Sequence, residues 1–245
     1  MTVLHVASFS GGKDSTAMVL EMCERGWPID VLWITPTGDE LPDMVEHWNT
    51  IAGMVGLPLT QPTPLTLDDV IRSQGALPNH RIRFCTRMIK IQPAIDWVKK
   101  KKLEGIDVIM YVGLRVDEES RDGIYGRSVV SRYPLREIGM DLVAVQAFLA
   151  ERNILVPRRT DCARCYHQRL GEWWNLWKDH REIWLDAERQ EAEVGHTFRS
   201  PGRDKWPVAL ADLRSEFERG RVPRGADNQL EIYPTYKPVC RACSL

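Results

Sequence analysis

The sequence predicts an α/β protein, a doubly wound and mostly parallel sheet followed by a C-terminal helical, cysteine-rich cap. Three observations lead there. A short apolar run near the start passes through two glycines into a helical stretch, V-L-H-V-A-S-F-S-G-G-K-D-S. Further apolar runs alternate with helical stretches as far as Arg152. Near Pro157 the character then changes to paired cysteines and clustered tryptophans.

Taken in order, Leu4 to Phe9 reads as a buried strand and Asp14 to Arg25 as a helix that packs through Ala17, Met18, Leu20 and Met22. Gly11 and Gly12 form the turn between them, where a residue without Cβ admits positive φ and close approach of a ligand to the backbone. Ile29 to Thr35 is a second strand, Pro42 to Val55 a helix after the Pro36-Thr37-Gly38-Asp39 turn, and Asp107 to Gly113 a third strand. Thr86 to Lys102 reads as a helix that Pro93 kinks or in fact starts, and Asp141 to Arg152 as an amphipathic helix. A boundary near Pro157 divides residues 1–156 from 157–245. The second part reads as one long helix from His167 to Val194, a Gly/Pro/Arg loop from Phe198 to Pro207, a helix from Val208 to Arg219, and a tail ending P-V-C-R-A-C-S-L.

Bulk properties exclude several classes. With 33 Lys+Arg against 34 Asp+Glu the chain has no charge excess that demands nucleic acid or an anionic membrane. No segment approaches the ~18 apolar residues of a membrane span, and no secretory signal precedes the first strand, so a cytoplasmic protein is expected. In that compartment six cysteines, four of them in two C-x-x-C pairs, point to metal or redox chemistry rather than structural disulfides. Cys23, inside the first helix, reads as a buried, inert thiol. Of nine tryptophans, four fall between Trp173 and Trp184, most simply as core.

The glycine loop aims backbone N–H groups and the Lys13 charge at the start of a helix, an arrangement suited to holding phosphate. It is not a Walker loop: Ala7 stands where the first glycine belongs, and Asp14 follows Lys13 where Ser or Thr should be. Ser10-Gly11-Gly12-Lys13-Asp14-Ser15 instead closely resembles the pyrophosphate loop, S-G-G-x-D-S, of the adenine nucleotide alpha hydrolase superfamily. Two further stretches extend the likeness. Gly113-Leu114-Arg115-Val116-Asp117-Glu118-Glu119-Ser120-Arg121 and Cys85-Thr86-Arg87-Met88-Ile89-Lys90-Ile91-Gln92-Pro93 resemble motifs of the phosphoadenosine phosphosulfate reductase family, over about residues 3–137, with Tyr133-Pro134-Leu135 as the last echo.

The resemblance implies a nucleotide site formed by Ser8, Ser10, Gly11, Gly12, Lys13, Asp14, Ser15, Thr35, Arg87, Lys90, Gly113, Arg115 and Arg121, with Lys13, Asp14, Cys85 and Arg115 catalytic. It also implies ATP, bound with Mg2+, or an adenylyl sulfate as the nucleotide. Two departures bear on the reaction: Cys85 stands alone where iron–sulfur adenylyl sulfate reductases have adjacent cysteines, and the reductases' C-terminal cysteine tail motif is absent. The pattern looks closer to the branch that inserts sulfur into DNA backbones, which implies a nucleic-acid acceptor and a cysteine desulfurase or thiol as sulfur donor. Cys162, Cys165, Cys240 and Cys243, two C-x-x-C turns about 75 residues apart, are a four-thiolate set for zinc or iron–sulfur. The resemblance favours [4Fe–4S], with Arg164, Arg241, Trp173 and Trp174 tuning it. His167, His180 and His196 are alternative ligands.

Three functions follow as expectations: sulfur transfer with adenylation of an acceptor and release of pyrophosphate; an adenylyl sulfate reductase; and a nucleotide-sensing module with structural zinc. Cys85, between Arg83 and Arg87, is expected to have a lowered thiol pKa and to react as nucleophile or sulfur carrier.

Overall fold

A computed structural model describes residues 2–123, 125, 129–158, 161–224 and 226. Five parallel strands form one sheet: β1 (Thr2–Ser8), β2 (Val31–Trp33), β3 (Leu59–Thr60), β4 (Ile106–Tyr111) and β5 (Val130–Arg132), in the order β3-β2-β1-β4-β5. β1 is central, pairing Val6 with Val31 on one side and with Met110 on the other. The chain winds outward from β1 through β2 and β3, then returns to lay β4 and β5 on its far side. That reversal of direction beside β1 is where doubly wound sheets open a crevice at their carboxyl ends. β1 and β4 are buried on both faces, so Val6, Ala7, Met110 and Tyr111 read in sequence as continuous apolar runs. β3 and β5 are two and three residues long, too short to show a periodicity of their own.

Helices cover both faces. α1 (Lys13–Glu24) packs on α2 (Pro42–Val55), α5 (Pro134–Glu137) and α6 (Leu142–Glu151) over a core of Ala17, Met18, Met44, Trp48, Val145 and Leu149. α4 (Gln92–Leu103) covers the other face through Ala94 and Val98. Before α4 comes a π-helical turn, Thr86–Ile91, in which the Gln92 amide donates to the Arg87 carbonyl. This resolves the Pro93 conflict: the wider turn ends at Ile91 and proline falls in the first turn of a new helix, where a missing N–H costs nothing. The short α3 (Leu67–Gln74), missed in the sequence reading, buries Leu67, Val70 and Ile71 at helical spacing and opens on a capping box between Thr66 and Asp69.

The long helix expected from His167 to Val194 is two helices, α7 (Leu170–Asp179) and α8 (Arg181–Val194), broken at His180. The reason lies in packing. Trp173 and Trp184 are both fully buried, with ring centroids 6.0 Å apart. In a straight helix, at ~1.5 Å per residue, eleven residues would separate them by roughly 16 Å. Folding back at His180 lets both rings enter one core with Phe198 and, from α9 (Leu210–Glu218), Phe217. The same core includes Leu41, Val70, Phe84 and Ile89, so residues on both sides of Pro157 bury one another. The tryptophans are thus core, with Trp174 and Trp177 at its margin.

Cys23 is a correction. It lies on the exposed side of α1, although partial burial of its thiol and the neighbouring Glu24 hold it above the ordinary cysteine value. No helix among the described residues is long and apolar enough to cross a membrane.

Candidate functional site

The glycine loop occupies the carboxyl end of β1, at the turning point of the sheet. Gly11 has φ +81°, and a Cβ there would come within 2.3 Å of Met44 Cε and 2.4 Å of Trp48 Nε1. Trp48 Nε1 also donates to the Ser10 carbonyl at 3.1 Å, so α2 holds the loop from behind. Gly12 differs from expectation: with φ −71° it is an extended N-cap residue that needs no left-handed freedom, and only Gly11 supplies that. Its side-chain-free position still leaves the first amides of α1 uncapped by any side chain. Ser15 Oγ donates to the Gly12 carbonyl at 3.0 Å and lies 3.1 Å from Ser10 Oγ. Gly113, at the end of β4, packs on the same turn, since its Cβ would meet Ser15 N at 3.0 Å and the Asp14 carbonyl at 3.1 Å.

The first turn of α1 and the segment after β4 are joined by charge. Lys13 Nζ and Arg115 Nη1 both reach Asp14 Oδ2, at 2.6 and 2.8 Å. Arg115 also forks onto Asp117 at 2.9 and 3.1 Å, and Glu118 pairs with Arg121. Lys13 is 4% exposed, and burial lowers its pKa against the pull of Asp14. Burial opposes the Arg115 charge as well, but Asp117, Asp14 and Glu118 outweigh it and raise its pKa. Arg136 from α5 fixes the segment by donating to the carbonyls of Arg115 at 3.2 Å and Arg121 at 2.6 Å, and to that of Glu118. Sequence reasoning missed Arg136, because only the tertiary fold brings those three carbonyls to it. Behind the loop, Thr16 Oγ1 and His47 Nε2 are 2.9 Å apart. The His47 ring also hydrogen-bonds the Leu155 carbonyl, and burial drives its pKa down to about 4.

A second group lies where the segment after β2 meets the first C-x-x-C turn. Asp39, buried, accepts from Arg164 N and Nε at 2.7 Å each, and its carbonyl accepts from Ala163 N at 2.6 Å. Arg164 further reaches Asp68 at 2.9 Å, so its charge is engaged away from the sulfur atoms. Asp39 had no role in the sequence reading; its position just past a parallel strand, at the carboxyl edge, was the available signal. The thiols of Cys162 and Cys165 are hydrogen-bonded to each other. That bond, burial and the Cys165 charge raise the Cys162 pKa well above its usual value, against a lowering by Lys90.

Cys85 joins this group. Contrary to the expectation of a lowered value, burial and the neighbouring Cys162 raise its thiol pKa, against smaller lowering effects of Lys90 and Thr86. Arg87, one of the two arginines expected to activate it, is exposed on the π-helical turn. Cys85 is therefore a half-buried neighbour of the C-x-x-C turn whose thiol is held towards its protonated form. Once deprotonated, thiols are soft donors of the kind that iron–sulfur or zinc takes. Among the described residues, however, no three His, Cys, Asp or Glu side chains close on a single metal ion. Cys240, Arg241 and Cys243 lie outside the described residues.

Of the remaining expected site residues, Ser8 ends β1 beside Trp33, and Thr35 follows β2 at the same edge. Lys90 acts on Cys85 and Cys162, whereas the charges acting on Lys13 are Asp14, Arg115 and Glu118. The predicted residues thus fall into two groups, phosphate-loop and thiol. Of the alternative ligands, His180 sits at the break between α7 and α8, His196 is exposed, and His167 lies tilted against Tyr166 and edge-on to His80.

A search of curated proteins returns no match. Among solved structures, the crystal structure of phosphoadenylyl-sulfate reductase from Candida auris, in a phosphate complex, is 15% identical, covering 64% of this chain and 74% of that one at a TM-score of 0.46. The family model described as the phosphoadenosine phosphosulfate reductase domain matches residues 4–125, a span that takes in the glycine loop, Cys85, Gly113 and Arg115. The chain therefore carries a domain of the phosphoadenosine phosphosulfate reductase family over residues 4–125.

Proposed function

We propose that the protein is a nucleotide-dependent sulfur-transfer enzyme in which ATP adenylates an acceptor and releases pyrophosphate. The observation that carries this reading is the convergence of Lys13 and Arg115 on Asp14 at the mouth of the glycine loop, at the turning point of the sheet. In the first step an acceptor oxygen attacks the α-phosphorus, the bond from that phosphorus to the bridging oxygen breaks, and pyrophosphate leaves with the charge. The uncapped amides of α1 and the Lys13 ammonium stabilise that charge where it develops. Arriving phosphates compete with Asp14 for Lys13 and Arg115, which frees the carboxylate. Asp14 Oδ1, buried and without a hydrogen-bond partner, is the oxygen that fits Mg2+. In the second step a sulfur nucleophile bonds to the acceptor atom that carries the adenylated oxygen, the bond between that atom and the oxygen breaks, and AMP leaves with the oxygen. Cys162, Cys165, Cys240 and Cys243, the two C-x-x-C pairs, would hold a [4Fe–4S] cluster, which would supply sulfur binding or electron transfer.

A second reading, reduction of an adenylyl sulfate, rests on the family match and calls for a thiolate nucleophile. The raised thiol pKa of Cys85 weighs against it. Incubating the protein separately with ATP and with adenylyl sulfates tests the two: pyrophosphate and AMP are expected from ATP, and sulfite from an adenylyl sulfate would overturn the first reading. Lys13→Ala should reduce pyrophosphate release by roughly a hundredfold or more, the scale of losing one charge-stabilising donor.

A further inference from the structure

One face of α2 closes on the back of the glycine loop, and no residue of that face belongs to the sequence motifs that mark the site. Met44, His47 and Trp48, spaced i, i+3 and i+4, share one buried stripe of the helix. Met44 and Trp48 occupy the space beside Gly11 that a side chain would take. The Phe9 ring, where the chain enters the loop, has its centroid 6.2 Å from that of His47. His47 Nε2 is 2.9 Å from Thr16 Oγ1 at the start of α1, and that hydroxyl is 3.5 Å from the Gly11 carbonyl. Trp48 Nε1 donates to the Ser10 carbonyl. The stripe thus meets the loop at its entry, its turn and its exit into the helix.

The Trp48 bond acts in a definite direction. A trans peptide is planar, with its C=O and N–H pointing opposite ways. Drawing the Ser10 carbonyl towards α2 therefore turns the Gly11 N–H away from α2, to the opposite side of the loop. A free segment with two adjacent glycines samples many backbone conformations, and a phosphate would have to order it on binding. We propose that Trp48 is a positioning residue for the pyrophosphate part of the nucleotide: its indole N–H, acting through the Ser10–Gly11 peptide, aims the Gly11 amide at the departing phosphates, while the His47–Thr16 contact holds the start of α1 to the same stripe. Both side chains act on the loop and not on the ligand. The proposal rests on the nucleotide reading above and adds to it the residues that preorganise the loop. A phenylalanine at position 48 would also cover Gly11, but it could not hold the carbonyl.

The test titrates the full chain by calorimetry with inorganic pyrophosphate and, separately, with AMP, which has no β- or γ-phosphate. Wild type is compared with Trp48→Phe, with Thr16→Val, and with Met44→Leu, which alters packing in the same stripe and leaves its hydrogen bonds in place. Trp48→Phe should bind pyrophosphate about tenfold more weakly, the scale of one lost hydrogen bond, and AMP within about twofold of wild type. Met44→Leu should change neither affinity by more than about twofold. Thr16→Val removes the second contact at nearly constant volume and should also weaken pyrophosphate selectively; it decides the matter if Trp48→Phe does not fold. Unchanged pyrophosphate affinity, or equal losses for pyrophosphate and AMP, would overturn the proposal, because a merely structural role lowers both together. Wild type that binds no pyrophosphate would overturn the nucleotide reading and the proposal with it, whereas wild-type binding with unaltered variants removes the proposal alone.

Discussion

Gly11 shows how much a single position can require. Its φ of +81° and the 2.3 Å approach of Met44 Cε leave no room for a side chain, so Gly11→Ala should destabilise the fold by about 1–3 kcal/mol through strain and overpacking. Denaturant melting would measure it, and nucleotide affinity should fall with it because the loop carries the amides of α1. His47 makes a different kind of demand. Its hydrogen bond to Leu155 and its pKa of about 4 mean that the ring is neutral in the folded protein, with Nε2 facing Thr16. Because the folded value lies below the usual ~6.5, the unfolded chain takes up the proton first, and stability is lost as pH falls from about 6.5 towards 4. The full loss is on the order of 3 kcal/mol. Glu191 works in the opposite sense, since burial pushes its carboxyl up to about 7 and stability is gained on acidification over the same range. Comparing wild type with His47→Gln isolates the histidine: the variant's stability should fall less between pH 6.5 and 4. Equal slopes would show that His47 is not buried neutral.

At the level of elements, the segment from Arg115 to Arg121 has one short 3-10 turn and is held by the α5 arginine. Arg136→Met keeps an unbranched apolar stem but removes the guanidinium that lies over the Tyr133 ring and donates to three carbonyls. Nucleotide affinity should drop by roughly tenfold, about 1–2 kcal/mol, with little change in melting, because Arg115 would lose its fixed backbone. Arg136→Lys should recover only part of this, since a single ammonium cannot reproduce the planar fork. Calorimetric titration with ATP is the measurement, and unchanged affinity in Arg136→Met would remove its positioning role. Another connection depends on Glu191 of α8, which accepts from Phe198 N and Leu210 N at 2.8 and 2.7 Å. One buried carboxylate thereby fixes the loop between α8 and α9 and starts α9, where no side-chain cap is present.

For the whole molecule, the pair Asp39–Arg164 joins the sheet's carboxyl edge to a turn 125 residues further along. Asp39→Asn should cost about 3–5 kcal/mol by leaving Arg164 buried with much of its charge uncompensated, and it should loosen the C-x-x-C turn from Cys85. Chemical denaturation reads the first effect, and a change in metal content per chain the second. The alternation of apolar runs and helices was enough to read the sheet class, because β1, β2 and β4 are buried strands whose apolar side chains are contiguous in sequence. The glycine loop was legible for a similar reason: a strand, a left-handed glycine and a helix start are local events, and Ser10 to Ser15 contains all of them. The bounds of α2, Pro42–Val55, were likewise local, set by proline at the start and Gly56 in the left-handed region at the end. Where contacts cross the chain, sequence pattern was insufficient. The break at His180 arises because two tryptophans must share one core, and nothing near His180 announces it. The reactivity expected of Cys85 from two flanking arginines is reversed because burial and Cys162, 77 residues away in sequence, act on the thiol more strongly than its neighbours do. Local chemistry and backbone geometry were written in the order of residues, whereas burial and long-range charge depend on which segments meet, and that only the tertiary structure decided.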